Sequence, residues 1–229
     1  MKTYGQFCPV AKAAEIFCER WTALILRDLC LGATRFSELQ RGVPLMSPTL
    51  LSRRLKELEA EGIVERRPAP SGRGHGYHLT PAGEEFVPIV LALGTWGQRW
   101  ARRELAEHEV DLRLLVWALE RGADAQAFGD RRTLVQLEFT DQPKSKRIWW
   151  FLNDQGRTDL CVHDPGFDVD LYLWASLPDM VRIWRGDLSY TGALNGGQLD
   201  VQGASALRRK VRQWLGISSL AHVKSARAA

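Results

Sequence analysis

A chain of 229 residues with 45% apolar and 25% charged residues can bury a substantial core, and its length fits two modest domains better than wholesale disorder. No run of about 18 apolar residues offers a membrane span; MKTYGQFCPV lacks the apolar stretch of a secretory signal, and the four Cys show neither disulfide-framework nor metal-ligand spacing. The expected setting is a reducing cytoplasm with no membrane partner. The net charge of +4 divides as 15 cations against 12 carboxylates in residues 1–107 and 16 against 15 in 108–229, too mild for a polybasic coat on nucleic acid or lipid.

From Val10 to Glu19, Ala13, Ile16 and Phe17 recur at helical spacing, and Trp21 to Leu31 follows with Leu24, Ile25, Leu29 and Cys30 apolar, which predicts two packed helices. Gly32 ends the second. Arg35 to Gln40 is a short third helix with Phe36 and Leu39 inward, and Val43-Pro44-Leu45 turns the chain into SPTLLSRRLKELEAEGIVERR. There Leu51, Leu55 and Leu58 stand at i, i+4 and i+7 and line a face that must be buried. Thr49, Ser52, Arg53 and Lys56 fall on the opposite face: short hydroxyls and long cations, suited to a DNA major groove, where Arg reads a guanine edge with both arms and Lys meets phosphate. An ordinary solvated helix would carry much the same residues, with Glu57, Glu59 and Glu61 offsetting the charge.

The next segment of the chain decides between the two. After Gly62, a natural helix stop, come IVERR, the turn-rich PAPSGRGHG and YHLT: strand, long turn, strand, with Arg73 at a cationic tip. A helix succeeded at once by a basic-tipped hairpin is the winged-helix arrangement, the helix in the major groove and the wing on phosphate or minor groove. The candidate DNA contacts are Arg35, Ser47, Thr49, Ser52, Arg53, Lys56 and Arg73.

The segment CPVAKAAEIFCERWTALILRDLCLGATRFSELQ with SPTLLSRRLKELEAEGIVERR resembles the HxlR-type family of bacterial transcriptional regulators over about residues 8 to 100. Its marks are Cys8-Pro9-Val10, Trp21-Thr22 leading into ILRDL, Gly32 before Arg35-Phe36, and Tyr77-Leu79-Thr80 before a helix with Gly83. Glu19-Arg20 departs from the Gly and Lys usual there. The resemblance implies a homodimer on a two-fold symmetric operator of double-stranded DNA. It also places a Cys before Pro at the start of the first helix, where some relatives use a thiol sensor. Cys8 is therefore a redox candidate, with a helix N-terminus and Lys12 to favour the thiolate, although a free Cys is often just a small buried hydrophobe.

Thr80 as N-cap, Pro81 at N1 and the acids Glu84 and Glu85 predict a long helix from there to about Ala106, with Pro88 a point for a kink. Leu93, Trp96 and Trp100 form an aromatic stripe on it, assigned to a subunit interface because a small winged helix leaves little core for two Trp. The charged RRELAEHEVD, residues 102 to 111, is a helical linker, which gives a first domain of 1–107 and a second of 108–229.

In the second half LRLLVWALERG is amphipathic, and the apolar period then changes from 3.6 to 2. Strands are predicted at Thr133 to Phe139, Arg147 to Leu152 and Asp168 to Trp174. A helix opens at Ser176 and stops at Gly186; a last one buries Leu207, Val211 and Trp214, and the tail after Gly216 is expected to be loose. DLYLWASLPDMVRIWRGDLSYTGALNGGQLDVQG is similar to the sterol-carrier-protein-like fold, which implies a sheet covered by helices with an apolar cavity between them. Trp150, Leu171, Leu173, Trp184 and Trp214 are the candidate pocket residues for an apolar small-molecule effector. The fold class is α+β, a winged helix-turn-helix domain followed by a sterol-carrier-like sheet-and-helix domain.

Chemistry for catalysis is missing from the pattern. The five His are scattered, GALNGG lacks the Lys of a phosphate loop, and neither a metal nor another cofactor is called for. Two functions of different class remain: a DNA-binding regulator modulated by an apolar ligand, or acting as a thiol sensor through Cys8, and a lipid-carrier or interaction protein whose winged helix serves only for dimerisation. Arg53 and Lys56 beside a cationic wing favour the first.

Overall fold

The computed structural model describes residues 3–69 and 74–226, and the chain divides into two compact units, Met1–Gly97 and Gln98–Ala229. No helix among the described residues is long and apolar enough to cross a membrane.

In the first unit, α1 (Pro9–Phe17), α2 (Thr22–Cys30), α3 (Phe36–Gly42) and α4 (Pro48–Ala60) precede a hairpin of β1 (Val64–Pro68) and β2 (His75–Leu79), paired from Val64 with Leu79 to Pro68 with His75. The helices pool their apolar faces: Ile25, Leu26, Leu39, Leu51 and Leu55 are fully enclosed, and Ile63, Val64 and Tyr77 close the core from the hairpin. Trp21 joins the first two helices in a left-handed conformation (φ 79°), costly for a residue with a Cβ, with the Arg20 guanidinium 5.0 Å from its ring centre.

The long helix expected from Thr80 is broken into α5 (Pro81–Glu84) and α6 (Val87–Trp96), followed by a π-helical turn at Gly97–Ala101. Thr80 caps α5 as expected, accepting from the Gly83 amide at 3.1 Å. The break comes from Pro88, which has no amide to donate and whose ring crowds the carbonyl four residues back, that of Glu84 at the end of α5. Gly83 has a separate reason to be glycine: a Cβ there would stand 2.1 Å from the Ile63 carbonyl oxygen.

The second unit is a five-stranded sheet in the order β5-β4-β3-β6-β7, built from β3 (Thr133–Phe139), β4 (Ile148–Asp154), β5 (Arg157–Cys161), β6 (Leu171–Ala175) and β7 (Leu199–Gly203). Its helices are α7 (Leu112–Gly122), α8 (Lys144–Arg147), α9 (Leu177–Arg185), α10 (Tyr190–Asn195), α11 (Ser205–Arg208) and α12 (Val211–Trp214). β6 lies parallel to β3 and the other pairs are antiparallel. Alternate residues, among them Val135, Leu137, Phe151, Leu171 and Leu173, face α7, α9, α10, α11 and α12 in one enclosed core, so these five helices lie on one face of the sheet.

Several expectations are corrected here. β5 is an addition to the predicted strands; Gln155 and Gly156 both take positive φ (49° and 72°), the two-residue hairpin turn that joins it to β4. β6 starts at Leu171, because Asp170 accepts the Leu134 amide at 3.0 Å and pairs with Arg131 at 2.6 Å. The 102–111 linker is no α-helix, having only a 3₁₀ turn at Glu107–Glu109, and Arg102 ion-pairs with Asp187 beyond the end of α9. Burial and neighbouring Arg185 pull the Arg102 guanidinium below its ordinary pKa. The described part of the tail after Gly216 is tied down: Ser218 donates to the Trp184 carbonyl at 2.9 Å and Val223 is buried.

Candidate nucleic-acid interface

α4 begins where Ser47, extended at φ −67° and ψ 147°, turns its hydroxyl back to accept the Leu50 amide at 3.3 Å, with Pro48 in the first turn needing no partner. Glu61 is its C-cap, and Gly62 takes φ +68°. Burying Leu51, Leu55 and Leu58 forces the other side outward. Thr49, Arg53 and Lys56 are exposed, on the side where helical spacing put them, whereas Ser52 is half-buried at the edge of that face. Arg53 is 65% exposed and stands 3.8 Å from Glu57, a loose i,i+4 pair; Lys56 has no ion pair among the described residues. The Ser47 hydroxyl serves the cap, which narrows the part expected of it.

Arg35 is exposed at the entry to α3, where the Glu38 carboxylate accepts the amides of Thr34 and Arg35 at 2.9 and 3.0 Å and leaves the guanidinium outside. On the hairpin, Arg66 bonds Glu59 at 2.7 Å and Arg67 bonds Glu65 at 2.8 Å, so both described strand cations are already paired. Arg73, the expected tip cation, lies outside the described residues.

One residue of this site was not anticipated. Arg54 is buried, its side chain 8% exposed, and its two terminal nitrogens meet Glu57 at 2.6 Å and Glu19 at 3.0 Å. A guanidinium taken out of water needs such partners, and the pairs tie α4 to the α1–α2 corner. The signal was present: Arg54 falls between Leu51 and Leu58 on the inward side of the wheel, and Glu19 is the residue that departs from the usual glycine.

Leu93, Trp96 and Trp100 are 47%, 59% and 44% exposed, and α6 has no buried residue, an unusual state for so apolar a helix. The π-helical turn moves Trp100 off strict α-helical spacing. Cys8 is the half-buried N-cap of α1 and, like Cys18, Cys30 and Cys161, is unpaired with another cysteine. Lys12 bonds Glu15 at 3.3 Å, so the ammonium has a carboxylate partner of its own. Burial pushes the Cys30 and Cys161 thiols up, towards the unreactive protonated form.

The proposed pocket residues part company. Leu171 and Leu173 are fully enclosed in the core, and Trp214, 1% exposed, donates its indole N–H to Asn153 Oδ1 at 2.7 Å. Asn153 is itself saturated: its amide nitrogen donates to the Thr133 and Phe151 carbonyls, and its oxygen also accepts the Thr158 hydroxyl at 2.7 Å. These three are packing rather than a cavity wall. Trp184 is half-buried against the same core, while Trp150 sits on the other face of the sheet, because Phe151 beside it points inward. Among the described residues, no group of three His, Cys, Asp or Glu side chains could hold a metal ion.

The sequence profile of the HxlR-like helix-turn-helix matches residues 16–105. The uncharacterized HTH-type transcriptional regulator YvaP of Bacillus subtilis (strain 168) is 40% identical over 98 residues, covering 42% of this chain and 91% of that protein. The corresponding regulator sll1512 of Synechocystis is 32% identical over 104 residues, 45% of this chain and 77% of its own length. Among solved structures, the reduced form of the transcriptional regulator YodB from B. subtilis aligns over 41% of this chain and 93% of its own, at 33% identity and a TM-score of 0.36.

Proposed function

This chain belongs to the HxlR-like helix-turn-helix family of transcriptional regulators, and we propose that it is a sequence-specific DNA-binding regulator, cytoplasmic and homodimeric, whose C-terminal unit answers to a small hydrophobic ligand. The observation that carries the DNA reading is the outward face of α4, where Thr49, Arg53 and Lys56 are exposed on a helix whose back is fully buried. Two such helices read two half-sites only if two protomers associate, and the exposed apolar α6 with Trp96 supports that association. A lipid carrier using this unit merely to dimerise has no use for outward cations on α4. The one-sided helix cover of the sheet supports kinship with sterol-carrier-like domains for the second unit.

A gel shift against the DNA flanking its own gene tests the reading. The parent retains a discrete fragment, and Arg53→Ala weakens it by about 1–3 kcal/mol while relaxing base preference at one position of each half-site. Equal retention by Arg53→Ala would remove α4 as the reading helix, and no retention by the parent would return the carrier reading to the front.

A further inference from the structure

The sheet of the second unit has two faces, and α7, α9, α10, α11 and α12 gather on one of them; on the other, Leu134 is buried and Gln136, Glu138, Trp150, Tyr172 and Trp174 are half-buried. Across the other, strand register sets Trp150, Gln136 and Tyr172 side by side, and one step along it sets Glu138, Trp174 and Asp200 side by side. Tyr172 and Trp174 stack with ring centres 5.7 Å apart and planes 12° from parallel. Trp150 stands two strands from Tyr172, roughly 10 Å at ordinary strand spacing, with Gln136 between them. Aromatic side chains gathered on a sheet face away from its core are a surface for stacking.

Charge selects what stacks there. Trp174 has a carboxylate as its cross-strand neighbour on both sides. Glu138 accepts the Trp174 indole N–H at 3.0 Å, which keeps the carboxylate beside the ring, and its other oxygen forms a loose ion pair with Arg147 at 3.7 Å. Asp200 is exposed and, among the described residues, is bonded to the neutral Gln202 amide at 3.0 Å with no cation beside it, so its charge is uncancelled. Indole and phenol faces attract cations, and two carboxylates flanking the indole add to the same sign of field. We propose that this second face, centred on the half-buried Trp174, binds a small planar aromatic cation, the rings stacking on Tyr172 and Trp174 and the positive charge lying between Glu138 and Asp200. The proposal rests on the reading of the second unit as the ligand-answering half, and moves the ligand from the helix-covered side, where Leu171, Leu173 and Trp214 leave only packing, to the opposite side.

The test uses the full chain and two dyes of one ring system, the cation pyronin Y and the anion fluorescein, followed by dye polarisation and by quenching of Trp emission. Pyronin Y binds and fluorescein does not; the double change Glu138→Gln with Asp200→Asn weakens pyronin Y about tenfold at unchanged melting temperature, and added salt weakens the parent alone. Trp174→Phe keeps binding that Trp174→Leu loses, and should the leucine variant fail to fold, the charge-removed double variant still decides. Equal uptake of fluorescein, unchanged binding in the charge-removed variant, or no uptake of pyronin Y by the parent would each overturn the site. An operator shift by pyronin Y in the parent but not in the charge-removed variant joins the site to regulation. Dye binding without that difference leaves the site standing and removes only its regulatory role.

Discussion

The outward face of α4 and the second face of the five-stranded sheet are built on the same plan and end with opposite chemistry. Each element buries one side completely, Leu51, Leu55 and Leu58 in the helix and Leu171 and Leu173 in the sheet, and the burial fixes which side chains are left outside. The helix presents Thr49, Arg53 and Lys56; the sheet presents Trp150, Tyr172 and Trp174 with Glu138 and Asp200. The first set suits a polyanion, the second a flat cation. The difference teaches that the apolar back locates a face while the few polar residues on its front decide what it can meet.

Breaking the back of the sheet is expected to have the largest effect. Asn153→Ala removes four hydrogen bonds at once and leaves the buried Trp214 indole N–H without its acceptor. A loss of about 3 kcal/mol is expected, from the cost of leaving buried polar groups unmade. Urea unfolding followed by Trp emission reads it, together with retention of operator DNA by whatever fraction stays folded. A change within about 0.5 kcal/mol, the range of surface substitutions, would make the network incidental and reopen Trp214 as a cavity residue.

Breaking the back of α4 comes next. Arg54→Ala leaves Glu19 and Glu57 facing each other without their shared cation, both 31% exposed, so solvent softens the loss to about 2 kcal/mol against the 3–5 of a fully buried pair. Glu19→Gln keeps volume and removes one charge, so it is expected to cost less than Arg54→Ala. Operator affinity is expected to fall in both, because the pairs tie α4 to the α1–α2 corner. Should thermal unfolding be unchanged in Arg54→Ala while operator affinity drops, the guanidinium acts on DNA itself and the buried pairs are secondary.

The helix was legible in the sequence to a degree the sheet was not, for physical reasons. Leucine at i, i+4 and i+7 states a direction, and the opposite face comes by rotation alone, so Thr49, Ser52, Arg53 and Lys56 needed no tertiary knowledge. Arg54 escapes such a reading because charge is ordinarily a sign of exposure, whereas its place between Leu51 and Leu58 points inward and requires carboxylates. In the second unit, alternation locates β3 with its observed ends, but alternation does not say which side of a sheet the helices take. Trp150 therefore groups with Trp214 as one pocket in the sequence, although Phe151 turns Trp150 to the far side. β5 is hard to see because RTDLC is polar at the edge of the sheet, and the Gln155-Gly156 turn that announces it is two residues long. The long helix from Thr80 fails at Pro88, whose effect on the carbonyl of Glu84 is a break rather than a kink.

The smallest expected effect separates the two parts of the α4 face. Lys56 has no ion pair among the described residues, and an ammonium on a long stem meets phosphate as a point charge rather than reading an edge. Lys56→Gln keeps most of the stem and removes the charge, so affinity for operator and for unrelated DNA is expected to fall by the same few-fold factor at low salt. Removing one phosphate interaction lowers the slope of log affinity against log salt by about 0.9 on duplex DNA. A single such interaction per protomer therefore gives about 0.9 if one copy binds and about twice that if a dimer binds. The measurement is operator and non-operator affinity by polarisation at several salt concentrations, with Arg53→Ala alongside. A Lys56→Gln slope equal to the parent's puts the ammonium away from the phosphates, whereas a loss confined to the operator makes Lys56 a base reader.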